Sequence, residues 1–242
     1  MPDNHIVSAF DDDLKDIARN VAEVGGLAEQ MVDRAITALM RTDVDSAERV
    51  IEDDRRIDRL QREIEEKAIL LIARRQPMAR DLREVVAAIR IAADLERVGD
   101  LAKNIGKRVI ALQGQLQPPS LLHGVEHLAQ LGIEQLKNVL DAYARRNVAQ
   151  ALAVWNRDEE IDALYTSLFR ELLTYMMEDP RNITFCTHLL FCAKNIERIG
   201  DHATNIAETV HYQITGVPLT EERPKNDRSS LSRLDDLPQT DD

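Results

Sequence analysis

The residues most capable of chemistry in this chain are carboxylates that recur in pairs four positions apart. The motif Glu-Arg-(Val/Ile)-Gly-Asp occurs twice, and its acidic members are Glu96 and Asp100, then Glu197 and Asp201. This spacing places both carboxylates on one face of a helix, a turn apart. Like charges so placed repel each other unless a cation lies between them. The glycine inside the same turn permits close approach of a neighbouring element.

A second acidic pair precedes each motif by one predicted helix. These pairs are Asp54 with Asp58 and Asp158 with Asp162. If the two helices of a half face one another, about four carboxylates come together in each half. Hard oxygen ligands without a cysteine or histidine cluster favour Mg, Mn or Fe over Zn. The acidic pairs are therefore candidates for binding a metal ion.

A solvated helix face is the alternative for any one acidic pair, because Asp and Glu are usually exposed. Repetition favours a shared role. The acidic pairs are identical in both copies, whereas neighbouring positions expected to face solvent differ, as Lys103 differs from Thr204. The motif arginines, Arg97 and Arg198, are also kept, so structural ion pairing is a second explanation that the sequence leaves open.

Other candidate residues indicate little catalytic chemistry. His202 lies beside Asp201, but its counterpart in the first copy is Leu101, which favours a hydrogen-bonded or exposed histidine over a ligand. The sequence has no glycine-rich phosphate loop, no nucleophile elbow and no H-E-x-x-H motif. We therefore expect a protein that is not an enzyme.

Prolines mark the ends of the elements that must position these carboxylates, because proline is costly inside a helix. The proline-free stretches show helical apolar spacing. Two of these stretches are too long to be single helices. The first should break near Thr42 and Asp43, either of which can cap the next helix. The other should break at Asn147, which begins a capping-box pattern. Asp179 and Pro180 suit the start of the last helix. Six helices are predicted, at roughly 6–41, 44–74, 79–113, 121–145, 148–177 and 181–213.

The two halves of this all-α chain repeat one another. Segment 94–109 matches 195–210 at eight of sixteen positions, and 50–60 matches 154–164 at five of eleven. The simplest fold is a pair of tandem three-helix bundles. The polar C-terminal tail should be disordered. The predicted divisions are a first repeat over 1–117, a second repeat over 118–219 and the tail over 220–242.

Composition excludes several classes of protein. A net charge of −12 argues against a nucleic-acid-binding protein, which needs clustered Lys and Arg. Cys186 and Cys192, six apart in one predicted helix, lie on nearly opposite faces and cannot bridge, which indicates a reducing compartment. The N-terminus lacks the pattern of a signal peptide, and the apolar runs are too short to span a bilayer. We expect a cytoplasmic protein without membrane insertion.

These features together resemble the PhoU family of regulators associated with the bacterial high-affinity phosphate transporter. The resemblance rests on two three-helix bundles that each carry a D-x-x-x-D helix and an E-R-(I/V)-G-D helix. It includes ARRQPMARDLR (73–83) and NIERIGDHATNIAE (195–208) and covers about residues 6–217.

The resemblance implies a negative regulator of phosphate uptake and of phosphate-starvation signalling. Proteins of this family act in the cytoplasm and are linked to the ATPase subunit of the transporter and to the phosphate sensor histidine kinase. Their E/D-x-x-x-D motifs can hold multinuclear iron or zinc clusters, with Mg or Mn as alternatives. Carried over by motif, the ligands are Glu96, Asp100, Glu197, Asp201 and, from the preceding helices, Asp54, Asp58, Asp158 and Asp162. We also expect a homodimer.

Two other functions compete with this interpretation. A ferritin-like di-metal enzyme needs a Glu-x-x-His motif on each of two helices. Only Glu208 and His211 provide one, and the matching positions in the first half are Lys107 and Ile110. The other competitor is a purely structural helical scaffold whose acidic pairs only increase solubility.

Overall fold

The structure, a computed structural model, describes residues 3–114 and 119–220. In these ranges the chain is helical and contains no strand, which confirms the predicted all-α class. The α-helices are α1 (Asp3–Arg41), α2 (Val44–Arg75), α3 (Arg80–Ala111), α4 (Pro119–Arg145), α5 (Val148–Asn156), α6 (Asp158–Glu178) and α7 (Ile183–Thr215).

The breaks between α1 and α2 and between α4 and α5 lie where the sequence predicts them. Asp43 Oδ1 accepts a hydrogen bond from the Ser46 backbone N–H at 3.1 Å. Asn147 Oδ1 accepts one from the Gln150 N–H, also at 3.1 Å. Each side chain satisfies a donor that a helix N-terminus leaves without an intrahelical acceptor. Asp179 caps a short 3₁₀ turn, Pro180–Asn182, so the last helix begins two residues later than predicted.

The predicted fifth helix, 148–177, is divided at Arg157 into α5 and α6. The Arg157 carbonyl accepts hydrogen bonds from Gln135 Nε2 of α4 at 3.0 Å and from the Glu160 N–H at 3.2 Å. A tertiary contact from another helix therefore takes up a carbonyl that a continuous helix would use internally. As a result, Asp158 begins a helix, whereas its counterpart Asp54 lies inside one.

The helices form two bundles that share one packed interface. Helices α1, α2 and α3 make the first bundle, and α4, α5, α6 and α7 make the second, with α5 and α6 together in the place of α2. The third helices of the two copies, α3 and α7, pack on each other, and α1 also contacts α4. His202 Nδ1 and Asp94 Oδ1, 2.9 Å apart, form a hydrogen bond across this interface.

Equivalent contacts between a glycine and an isoleucine join α2 to α3 in the first bundle and α6 to α7 in the second. A Cβ added at Gly99 would lie 2.7 Å from Ile57 Cδ1, and one added at Gly200 would lie 2.8 Å from Ile161 Cδ1. Both isoleucines are buried. The motif glycine therefore allows the close approach predicted for it, and it brings the two carboxylate-bearing helices of each bundle together.

The predictions about the cysteines, membrane spans, tail and domain boundaries have different outcomes. Cys186 and Cys192 are both buried and free, as expected. Across 3–114 and 119–220, no helix has the length and apolar character needed to cross a bilayer. The predicted disordered tail lies, apart from residue 220, outside the described residues. The boundaries at 117 and 219 stay predictions.

Candidate functional site

The first bundle brings its four predicted carboxylates together between α2 and α3. Asp54 is 6 % exposed, whereas Asp58, Glu96 and Asp100 are half-buried. Burial raises the pKa of Glu96, and the negative charges of Asp100, Asp58 and Asp54 raise it further, although Arg97 opposes them. The prediction that the two acidic helices face one another therefore agrees with the geometry of this bundle.

A lysine lies inside this first cluster. Lys103 Nζ is 2.6 Å from Asp54 Oδ2 and 2.5 Å from Asp100 Oδ1, and the lysine side chain is 21 % exposed. Burial alone would lower the pKa of Lys103, but the hydrogen bonds to Asp100 and Asp54 outweigh it and raise that pKa to about 12. Burial raises the pKa of Asp54 even though Lys103 acts in the opposite direction. The first cluster thus contains its own positive charge.

The expectation that positions 103 and 204 face solvent is wrong. Thr204 is completely buried, and Lys103 reaches between two helices to a carboxylate on each. The spacing of position 103 from the motif carboxylates already indicated this placement. Position 103 follows Asp100 by three and Glu96 by seven, which places it on the carboxylate face of the helix.

The second cluster has the same carboxylates in a different electrostatic setting. Asp158, Asp162 and Glu197 are at most 4 % exposed, and Asp201 is half-buried. Where the first bundle has Lys103, Thr204 Oγ1 donates a 3.0 Å hydrogen bond to Asp158 Oδ1.

Two features of the second cluster offset its negative charge. Lys194 Nζ lies 2.9 Å from Glu197 Oε1 on the same helix. Asp158 is in the first turn of α6, where backbone N–H groups without intrahelical acceptors favour a negative side chain. The same Lys194 ammonium lies 4.9 Å from the ring centroid of Tyr165 on α6. The second cluster therefore also has a lysine between its two helices, although at a different position from Lys103.

The motif arginines account for only part of the ion pairing with the clustered carboxylates. Arg97 lies 3.4 Å from Glu96 and 3.3 Å from Asp100, but its side chain is 61 % exposed. Exposed ion pairs contribute little to stability, typically below about 1 kcal/mol. Arg198 is exposed as well. Structural ion pairing in the first cluster therefore comes mainly from Lys103, which the sequence interpretation did not choose.

The two clusters differ in how well their side chains could hold a divalent cation. In the described parts of the chain, no group of three or more His, Cys, Asp or Glu side chains is arranged to hold a metal ion as the side chains stand. A cation in the first cluster would have to displace the Lys103 ammonium. The three buried carboxylates of the second cluster are hard oxygen donors of the kind that Mg, Mn or Fe prefers, and a cation there would compete with Lys194 for Glu197.

The glutamate of the ferritin-like alternative, Glu208, is engaged by another helix. Glu208 Oε1 accepts a hydrogen bond from Trp155 Nε1 at 3.0 Å, which joins α7 to α5. His202 is hydrogen-bonded to Asp94, as the sequence predicted when it favoured a satisfied histidine over a ligand.

Comparison with known proteins adds a family. The model of the PhoU domain matches residues 21–109 and 125–210. A phosphate-specific transport system accessory protein PhoU homolog from Rhizobium meliloti is 63 % identical over 226 residues, which are 93 % of this chain and 95 % of that protein. The phosphate-specific transport system accessory protein PhoU of Escherichia coli is 40 % identical, with 88 % of each chain covered.

The solved structures agree with these relatives. The crystal structure of PhoU from Pseudomonas aeruginosa superimposes with a TM-score of 0.84 at 38 % identity, and the match covers 86 % of this chain and all of that one. PhoU from Streptococcus pneumoniae, described as a phosphate transport system regulatory protein, superimposes with a TM-score of 0.80 at 29 % identity.

Proposed function

Because this chain belongs to the PhoU family, we propose that it is a negative regulator of phosphate uptake and of phosphate-starvation signalling. It would act in the cytoplasm as an adaptor between the ATPase subunit of the phosphate transporter and the phosphate sensor histidine kinase. When phosphate is plentiful, it would help to keep that kinase from activating starvation genes. The observation that carries the proposal is the 63 % identity, over nearly the whole chain, to a phosphate transport accessory protein.

The architecture supports an adaptor. Two similar bundles are packed together through α3 and α7, and Asp94 and His202 join them by a hydrogen bond. A partner that binds one bundle therefore binds a surface that is packed directly against the other bundle. We propose a role without catalysis, and a homodimer that would present these surfaces twice. Sedimentation equilibrium at micromolar concentration tests the dimer, and a monomeric mass would contradict it.

Deletion of the gene is expected to raise the activity of a phosphatase reporter of the phosphate-starvation response in phosphate-rich medium. The reason is that the kinase would lose the adaptor that restrains it. Reporter activity is compared in the wild-type, deletion and complemented strains at high and low phosphate. Repression that stays unchanged in the deletion strain would contradict the proposed function.

We also propose that the second carboxylate cluster binds a divalent metal ion or a small metal cluster. Asp158, Asp162, Glu197 and Asp201 would hold it, after side-chain rotation, with iron, zinc, magnesium or manganese as candidates. A bound cation would neutralise the buried carboxylates and could shape a contact surface for a partner. These residues would supply oxygen ligands and positioning only.

Protein purified without chelator is expected to carry metal that a Glu197→Gln/Asp201→Asn variant has lost. The change replaces two carboxylate ligands with neutral amides of similar shape. Inductively coupled plasma mass spectrometry gives the metal content per chain. The matched control is Glu126→Gln/Glu178→Gln at exposed positions of α4 and α6, which should keep the metal. Equal metal content in all three proteins, or no metal in any, would contradict the proposal.

A further inference from the structure

Helices α3 and α7 are antiparallel, which places the end of α7 beside the start of α3. At one end of the pair, a Cβ added at Gly216 would lie 3.2 Å from Arg83 Cζ. At the other end, Arg108 Cζ lies 4.2 Å from the centroid of the Phe191 ring. The end of α7 and the turn between α2 and α3 therefore share one end of the molecule. We call this region the α2–α3 end, and it comprises residues 69–83 and 216–220.

The α2–α3 end carries large apolar side chains that are exposed to solvent. Met78 in the turn is 80 % exposed, and Val217 after α7 is 60 % exposed. The full set of exposed apolar side chains here is Ile69, Leu70, Met78, Leu82 and Val217. Apolar side chains concentrated in one part of a surface mark a site of interaction.

Arginines accompany these apolar side chains. Segment 73–83 has one acidic residue, Asp81, and four arginines, which are Arg74, Arg75, Arg80 and Arg83. Arg75 lies 3.8 Å from Asp13, and Arg80 lies 3.3 Å from Glu84. Each of these pairs has at least one mostly exposed partner, so the pairs are weak and leave the arginines able to bind another acid. A segment that fits this surface should be both apolar and acidic.

Residues 231–242 of the same chain have this chemistry. They include four aspartates and one arginine, the reverse of the four arginines and one aspartate of 73–83. Their leucines are three positions apart, at Leu231, Leu234 and Leu237.

The path of the chain brings this segment within reach of the surface. Leu219 packs against the core just after α7, so the chain continues from Thr220 beside the α2–α3 end. The linking residues, 221–230, can span up to about 33 Å when extended. A segment tethered so closely has an effective concentration on the order of millimolar, at which a weak contact is sufficient.

We propose that residues 231–242 cover the α2–α3 end, with their leucines on its apolar side chains and their aspartates beside its arginines. An outside partner then reaches this surface only by displacing the segment, which makes the contact autoinhibitory. This covering depends neither on bound metal nor on the proposed regulatory function.

The test compares two methionines in the full chain. Met78 is 80 % exposed in the described fold, whereas Met177, near the opposite end of the molecule, is 64 % exposed. Without a cover, Met78 should therefore form a sulfoxide with hydrogen peroxide at least as fast as Met177. With the cover, Met78 is expected to react several-fold more slowly than Met177. Tandem mass spectrometry after brief treatment locates and counts each sulfoxide.

Two variants outside the described helices show which side chains provide the cover. The leucine variant is Leu231→Ser/Leu234→Ser/Leu237→Ser. In it, Met78 should react at least as fast as Met177, and Met177 should keep its wild-type rate. The matched control, with as many changes in the same part of the chain and all leucines kept, is Ser230→Ala/Ser232→Ala/Gln239→Ala. The control should protect Met78 as the wild type does.

Protection of Met78 that is independent of protein concentration and is lost only in the leucine variant supports the proposal. Met78 that reacts as fast as Met177 in the wild type overturns it, and so does protection that survives in the leucine variant. Protection that increases with protein concentration assigns the surface to a second copy of the chain and also overturns it.

Discussion

An Ile57→Ala variant is expected to lower the free energy of unfolding by about 2–5 kcal/mol. Ile57 is completely buried on α2, and its Cδ1 packs directly against the backbone of Gly99 on α3. Because Gly99 has no side chain, nothing on that side can turn to fill the cavity. Urea denaturation followed by far-ultraviolet circular dichroism gives the change.

A compensated pair tests the geometry of this contact. Ile57→Val removes Cδ1 and should cost about 0.5–1.5 kcal/mol. Gly99→Ala adds a methyl that meets Cδ1 in the wild type, but the next atom of Ile57, Cγ2, is 3.5 Å from that methyl, an ordinary contact distance. Alanine also favours the helix over glycine by about 1 kcal/mol. The double variant Ile57→Val/Gly99→Ala should therefore be at least as stable as Ile57→Val.

The opposite order of stability would show that Gly99 serves something other than packing. If Gly99→Ala is harmless alone and brings no gain beside Ile57→Val, the close approach of α2 and α3 does not depend on the glycine. Ile161 and Gly200 provide an internal repeat of the experiment, since their contact is 2.8 Å. Gln135 Oε1 would lie 3.5 Å from the added Cβ at Gly200, also an ordinary contact distance, so a similar gain is expected there.

Most of the fold could be predicted from local signals. Prolines, caps such as Asp43 and Asn147, and the apolar spacing fixed the helix ends to within a few residues. The interruption at Arg157 was not predicted, and the hydrogen bond that Gln135 donates to the Arg157 carbonyl comes from a different helix. No local pattern around residues 148–177 carries that information.

The candidate site was predictable in its acidic part and not in its cationic part. Identical spacing in two copies indicated that the carboxylates share a role, and a duplicated sequence makes such a comparison possible within one chain. The same comparison treated the difference between Lys103 and Thr204 as surface drift. Whether a position seven residues from Glu96 faces solvent or a second helix depends on how α2 and α3 cross, which the repeat alone does not show.

A Lys103→Met variant, studied in the presence of EDTA, is expected to lower the free energy of unfolding by about 2–3 kcal/mol. Removing one partner of a buried ion pair typically costs about 3–5 kcal/mol, and the 21 % exposure of Lys103 reduces that figure through solvent screening. Methionine keeps most of the volume, so the loss reports the charge rather than a cavity. Lys107→Met, exposed on the same helix, should change stability by less than about 0.5 kcal/mol.

Combining Lys103→Met with Asp54→Asn shows whether the cost comes from a buried carboxylate that has lost its counter-charge. Asp54 is the more buried of the two carboxylates that Lys103 bonds, so its neutralisation should recover part of the loss. The double variant is then expected to be more stable than the sum of the single changes, with a coupling energy of about 1–3 kcal/mol. Additive effects would mean that Lys103 and Asp54 act independently. Coupling that persists in 1 M salt would assign the interaction to the shielded space between α2 and α3, because salt screens exposed pairs far more than buried ones.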